Sequence, residues 1–176
     1  MVGAHVNFAS RIESFALGRQ VLISAATYER VKDLVQIGDV LQAEMKGIPG
    51  KSTLYEVRAI GGPYNIQLKT RRQALVKLPE PVQIHLHRMQ EKVMVSSNEE
   101  VWVTHLSETA VRGAFEGDLA EWEDVRLQML NQKGAPVPGK VYGKVTQVQP
   151  GASGGLEATI RFTSVARRSI RLFVGL

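Results

Sequence analysis

Gly139-Lys140-Val141-Tyr142-Gly143-Lys144-Val145, the loop Gly151-Ala152-Ser153-Gly154-Gly155 and the run Leu156-Glu157-Ala158-Thr159-Ile160-Arg161-Phe162 together decide how the fold is read. Apolar and polar residues alternate on either side of a glycine-rich turn, the pattern of half-buried strands. Working outward, further strand-like runs fall near 81–87, 92–96, 100–106, 125–130 and 169–174, with turn signals at Ser97-Asn98 and Lys133-Gly134. Strands of this length at this spacing predict a small antiparallel barrel or sandwich beyond about Asn65.

The preceding segment has a different period. Val6, Ala9, Ile12 and Phe15 recur at helical spacing, and Leu17-Gly18 closes the helix. Val21-Leu22-Ile23 is a short strand, Ser24 caps a second helix of about Ala25 to Leu34, and Thr53 to Ile60 alternates as a strand after the turn Gly47-Ile48-Pro49-Gly50. Gly61-Gly62-Pro63 then punctuates the chain. The expected class is α+β: residues 1–65 as a partial α/β segment, residues 66–176 as a small antiparallel β-barrel domain.

The chain has 176 residues, 44% hydrophobic and 22% charged, so it should fold, with room for two small domains. No apolar run is long enough for a membrane span and no signal peptide is evident, so the expected location is cytoplasmic. The absence of cysteine excludes disulfides, thiolate metal sites and cysteine nucleophiles. Net charge is +5; residues 1–65 contribute +1 and residues 66–176 contribute +4. The excess favours an anionic partner. Aromatics are only 6% and none interleave with a basic run, so no nucleic-acid partner is expected.

Val2-Gly3-Ala4-His5-Val6-Asn7-Phe8-Ala9-Ser10-Arg11-Ile12-Glu13, then Gly18-Arg19-Gln20-Val21-Leu22-Ile23-Ser24, Thr27-Tyr28, Met45-Lys46-Gly47-Ile48 and Leu54-Tyr55-Glu56-Val57, resemble in order the C-terminal part of a class III adenylate or guanylate cyclase catalytic domain. The resemblance implies that Asn7 orients a nucleotide near its ribose, Arg11 stabilises charge on the transferring phosphoryl group and Lys46 binds the triphosphate. The alternative is that Asn7 and Arg11 form a solvated polar helix face. The metal-binding Asp residues of such cyclases belong upstream of Asn7 and are not in this sequence, so these three positions are expected to be vestigial here. Magnesium is implied only for a complete cyclase, and no cofactor is expected in this chain. A longer natural product, or another cyclase chain, is the expected source of the missing half.

Arg71-Arg72 followed by Leu78-Pro79-Glu80-Pro81-Val82, with the two runs quoted first and the closing Arg167-Arg168-Ser169-Ile170-Arg171-Leu172-Phe173-Val174, resembles a degenerate PilZ domain, the bacterial receptor module for cyclic di-GMP. The resemblance implies ligand contacts from Arg71, Arg72 and Lys77 at the entrance loop and from His105, Ser107 and Ala110 on the barrel. Two departures from the pattern matter. Leu75 and Val76 stand where a second arginine is expected, leaving Lys77 as the nearest cation, and His105 and Ala110 replace Asp/Asn and Gly. A lysine is a point charge where arginine is bidentate, so affinity should suffer.

The reading is therefore a bacterial second-messenger signalling protein in which a cyclase-derived segment is joined to a PilZ-type cyclic di-GMP receptor. The alternative is a non-enzymatic module whose barrel binds a protein partner and no nucleotide. His85 and His87 share a strand face and would make a metal site only with His105 beside them; solvated histidines are the expected reading, with no metal. Glu99-Glu100 and Glu121, Glu123 and Asp124 read as surface carboxylates, Trp102 and Trp122 as core or rim packing, and Arg167, Arg168 and Arg171 as either an anion contact or an exposed element end.

Overall fold

The structure, a computed structural model, describes residues 3–18, 20–68, 74–90, 93–95, 98–131, 134–151 and 154–165. The chain divides into two compact units, Met1–Arg71 and Arg72–Leu176. The described residues are mostly β, with two helices. No helix among them is long and apolar enough to cross a membrane.

In the first unit, helix α1 (Ala4–Phe15) precedes strand β1 (Val21–Ser24), helix α2 (Ala25–Val31), strand β2 (Val35–Glu44), strand β3 (Lys51–Ile60) and the short strand β4 (Ile66–Gln67). Helix α1 buries Ile12 and packs Phe8 and Phe15 against Ala43, Met45 and Leu54, whereas Val6 and Ala9 of the expected stripe are exposed. The buried line is thus Phe8, Ile12 and Phe15, at spacings of four and three. Ser24 caps α2 as expected, its Oγ accepting the Thr27 N–H at 3.1 Å. The helix stops at Val31 instead of continuing to Leu34, whose N–H turns back to the Val31 carbonyl.

The sheet order is β1-β3-β2, all antiparallel, with β4 also on β3 at Ala59 and Ile60. Strand β2 is absent from the sequence reading because its alternation breaks. The register shifts between Gln36 and Ile37 and again between Ile37 and Val40. Gly38 lies in that break, and a Cβ there would overlap the Arg58 side chain, which reaches Glu56 at 3.1 Å.

The second unit contains β5 (Val76–Gln90), β6 (Val93–Met94), β7 (Glu99–Leu106), β8 (Ala110–Phe115), β9 (Asp124–Met129), β10 (Val141–Pro150) and β11 (Leu156–Val165). Strands β5-β7-β8-β11-β10-β9 pair in that order, and β9 pairs back to β5, closing a six-stranded antiparallel barrel. Of the two architectures the sequence allowed, this is the barrel. Strand β6 pairs with the end of β5 at Met89 and Gln90, and is shorter than the expected 92–96. Strand β8 was not expected, since Ala110, Gly113 and Ala114 dilute its apolar alternation. The expected strand at 169–174 lies outside the described residues.

Ile84, Leu86, Val103, Leu127, Val141 and Val145 fill the interior with almost no exposure. A register shift in β7 controls what faces out: Val103 pairs with Gly113, but His105 pairs with Arg112 and Leu106 with Val111. The extra residue turns His105 outward and returns Leu106 to the core. Gly113 permits this approach, because a Cβ there would stand 2.6 Å from the Trp102 carbonyl oxygen. Trp102 is on the outer surface, 49% exposed, and is not core; Trp122 occupies a left-handed turn position at φ 70°.

One end of the barrel holds an ion cluster. Arg88 Nε and Nη2 donate to the two oxygens of Glu99 at 2.8 and 3.2 Å, and Arg88 also reaches the Asp118 carbonyl at 2.8 Å and Glu123 at 3.7 Å. The hydrogen bond to Glu99 holds the Arg88 pKa above its ordinary value. Glu99 and Glu123, expected as surface carboxylates, are thus tied to Arg88, and Asp124 pairs with the buried Lys144.

Candidate functional site

The turn joining β7 to β8 is built by Ser107. Its backbone N–H donates to the Ala110 carbonyl at 2.8 Å, while its Oγ accepts the N–H of Thr109 at 3.2 Å and of Ala110 at 3.0 Å. The hydroxyl thus occupies the position in which a backbone carbonyl usually closes a two-residue hairpin. Ser107 is buried, and so is Ala110. Ala110 has no positive φ, so this turn makes no demand for glycine at that position.

Register aligns the other expected contacts. Lys77 on β5 pairs with His105 on β7, His105 with Arg112 on β8, and Arg112 with Thr159 on β11. Adjacent strands lie about 4.8 Å apart, so these four side chains form a continuous row across the outer barrel face. Lys77 is exposed, and His105 and Arg112 are half-buried. His105 Nδ1 is 2.9 Å from Thr104 Oγ1, and Arg112 Nε donates to Thr159 Oγ1 at 3.2 Å. The row joins a lysine, an imidazole and a guanidinium without an intervening carboxylate, an arrangement suited to an anion. Arg112 was missed by the sequence reading. Its signal was parity: it lies two residues after Ala110 on an alternating strand, and so on the same face. Arg71 and Arg72 lie outside the described residues, as do Arg167, Arg168 and Arg171.

In the first unit, Asn7 and Arg11 stand four residues apart on α1, Asn7 exposed and Arg11 half-buried. Lys46 is exposed in the turn where the Ile48 N–H meets the Met45 carbonyl at 3.0 Å. Arg11 Nη2 is 3.6 Å from where a Gly47 Cβ would stand, so the guanidinium lies against the turn that carries Lys46.

His85 and His87 do share the outer face of β5, but His105 pairs with Lys77, well along the strand from them. The conditional three-histidine site therefore does not assemble, and no group of metal-ligating side chains occurs among the described residues. The neighbour directly across from His87 is Arg126 on β9. Burial, then the Arg126 charge, then His85, hold the His87 pKa below its ordinary value of 6.5.

No family model matches the chain, and no curated protein matches it. Among solved structures, the chain is similar to the Bacillus subtilis inhibitor of motility (MotI/DgrA), with 12% identity and a TM-score of 0.42. The match covers 80% of this chain and 62% of that one, so this chain spans less than two thirds of the solved structure.

Proposed function

We propose that the barrel is a PilZ-like receptor for an anionic nucleotide, cyclic di-GMP in particular, and that the first unit is a cyclase-derived segment without activity of its own. The observation that carries this reading is the Lys77–His105–Arg112 row on the outer face of a closed barrel, beside the turn where the resembling motif falls. Three cationic or protonatable side chains on neighbouring strands offer a donor set for phosphodiester oxygens, with the Arg112 guanidinium able to bind two of them at once. Ser107 then serves the ligand through the turn it closes and not through its own hydroxyl. The placement of Arg11 against the turn that carries Lys46 supports the cyclase-derived reading of the first unit.

The test is isothermal titration of the full chain with cyclic di-GMP. Micromolar binding is expected, weakened about tenfold or more by Arg112→Gln, which corresponds to about 1.4 kcal/mol. Absence of heat at high ligand concentration would refute the receptor reading and leave the protein-contact module. That second reading has its own observation: Trp102 and Val76, 49% and 67% exposed, give the barrel exposed apolar surface near the same row.

A further inference from the structure

We propose that His87, Arg126, Tyr142 and Ser164, one from each of four adjacent barrel strands, form a binding site for a phosphate group, free or at the end of a small molecule. His87 on β5 pairs with Arg126 on β9, Arg126 with Tyr142 on β10, and Tyr142 with Ser164 on β11. Their chain neighbours Leu86, Val125, Leu127, Val141 and Val165 pack in or against the core, and the register shift between Tyr142 and Gly143 resets the parity of β11 past Phe162, so all four lie on the outer face. Imidazole, guanidinium, phenol and hydroxyl can each donate a hydrogen bond, and no carboxylate interrupts the row. From β5 the row runs through β9 and β10, whereas the Lys77–His105–Arg112 row runs the other way through β7 and β8; the two share no residue.

Arg126 is the centre of the argument. Among the described residues its Nη1 meets the sulfur of Met94 at 3.2 Å, its Nη2 the Gln128 amide oxygen at 3.3 Å, and its Nε is buried without a hydrogen-bond partner. No ion pair to Arg126 occurs among the described residues. Asp124, two residues away on β9, is engaged by Lys144, and Glu100 stands across from His85. A half-buried guanidinium is thus dehydrated in part with no counter-charge among the described residues, a costly state that an oxyanion would relieve. The planar fork of arginine matches two phosphate oxygens. His87, facing Arg126, reports occupancy: a bound dianion would offset the positive charge that now disfavours its protonation.

The experiment follows the four histidine side chains of the full chain by NMR across pH, in inorganic phosphate, in methyl phosphate and in chloride at matched ionic strength. Phosphate is expected to raise the proton affinity of His87 about tenfold, saturably, with no comparable rise in chloride. Response to inorganic phosphate alone supports a free-phosphate site; response to methyl phosphate as well supports an esterified ligand. Arg126→Met, which keeps a packed side chain beside Met94, should abolish the rise. Should that variant unfold, Tyr142→Phe, which removes one donor only, should weaken phosphate binding several-fold. An unchanged His87 titration in saturating phosphate, an equal rise in chloride, or a rise that persists in folded Arg126→Met would overturn the proposal.

Discussion

Replacing Ser107 by alanine removes one oxygen atom from the β7–β8 turn, and the structure says what that oxygen does. It accepts two backbone N–H groups, from Thr109 and Ala110. Thr109 is half-exposed, so water can replace the lost acceptor there, but Ala110 is buried and its N–H would be left unpaired. An orphaned buried donor costs about 1–3 kcal/mol, so Ser107→Ala should destabilise the barrel by about 2 kcal/mol. For a unit of this size that lowers the melting temperature by about 10 °C. Both tryptophans of the chain, Trp102 and Trp122, lie in the second unit, so fluorescence-monitored urea unfolding reads this unit without contribution from the first. Ser107→Asn, whose side-chain carbonyl can accept the same N–H groups, should recover most of the loss. A cost under about 0.5 kcal/mol for Ser107→Ala, or an asparagine variant no better than alanine, would refute the assignment of Ser107 to the turn.

Leu127→Ala, at a position with no exposure in the centre of the barrel, should cost about 3 kcal/mol in the same urea experiment. Gly113→Ala should cost about 2 kcal/mol and lower amide protection along β7 and β8, because its Cβ would press on backbone atoms of Trp102 and Val103. Because the folded-state pKa of His87 lies below its unfolded value of 6.5, the unfolded chain binds more protons in the intervening window. Stability is therefore fully retained above pH 6.5 and falls as pH drops through the folded pKa; His87→Gln should flatten the urea midpoint between pH 7 and 5.

Much of the barrel was legible because its inward positions are large and aliphatic at strict period two, as in β9 with Val125, Leu127 and Met129. Strand β8 was not, since inward Gly113 carries no hydrophobic signal and is there to let the β7 backbone approach. Strand β2 was lost for a related reason, its parity reset at Gly38. In α1 the periodicity announced a helix, but Val6 and Ala9 were assigned to the wrong face: which stripe a short helix buries depends on the sheet beneath it. At the candidate site, Lys77 and His105 were named from the motif, whereas their adjacency and the membership of Arg112 depend on pairing across strands that are distant in sequence. The bulge that turns His105 outward has no sequence signature of its own. The surface reading of Glu99 failed because its partner Arg88 is eleven residues away across a hairpin.

Strand β5 meets β7 in two separate pieces, Val76 and Lys77 with Leu106 and His105, then Val82 to Leu86 with Val103 to Glu99. Between them stand Pro79 and Pro81, which have no N–H to give a ladder. The first piece is a two-rung clasp on a closed cylinder, and unfastening it leaves every hydrogen bond between β5 and β9 untouched. Lys77 is thereby carried on a latch, while His105 and Arg112 stay on the frame. Two rungs are also little to break, so the latch marks where the barrel can yield first without losing its closure.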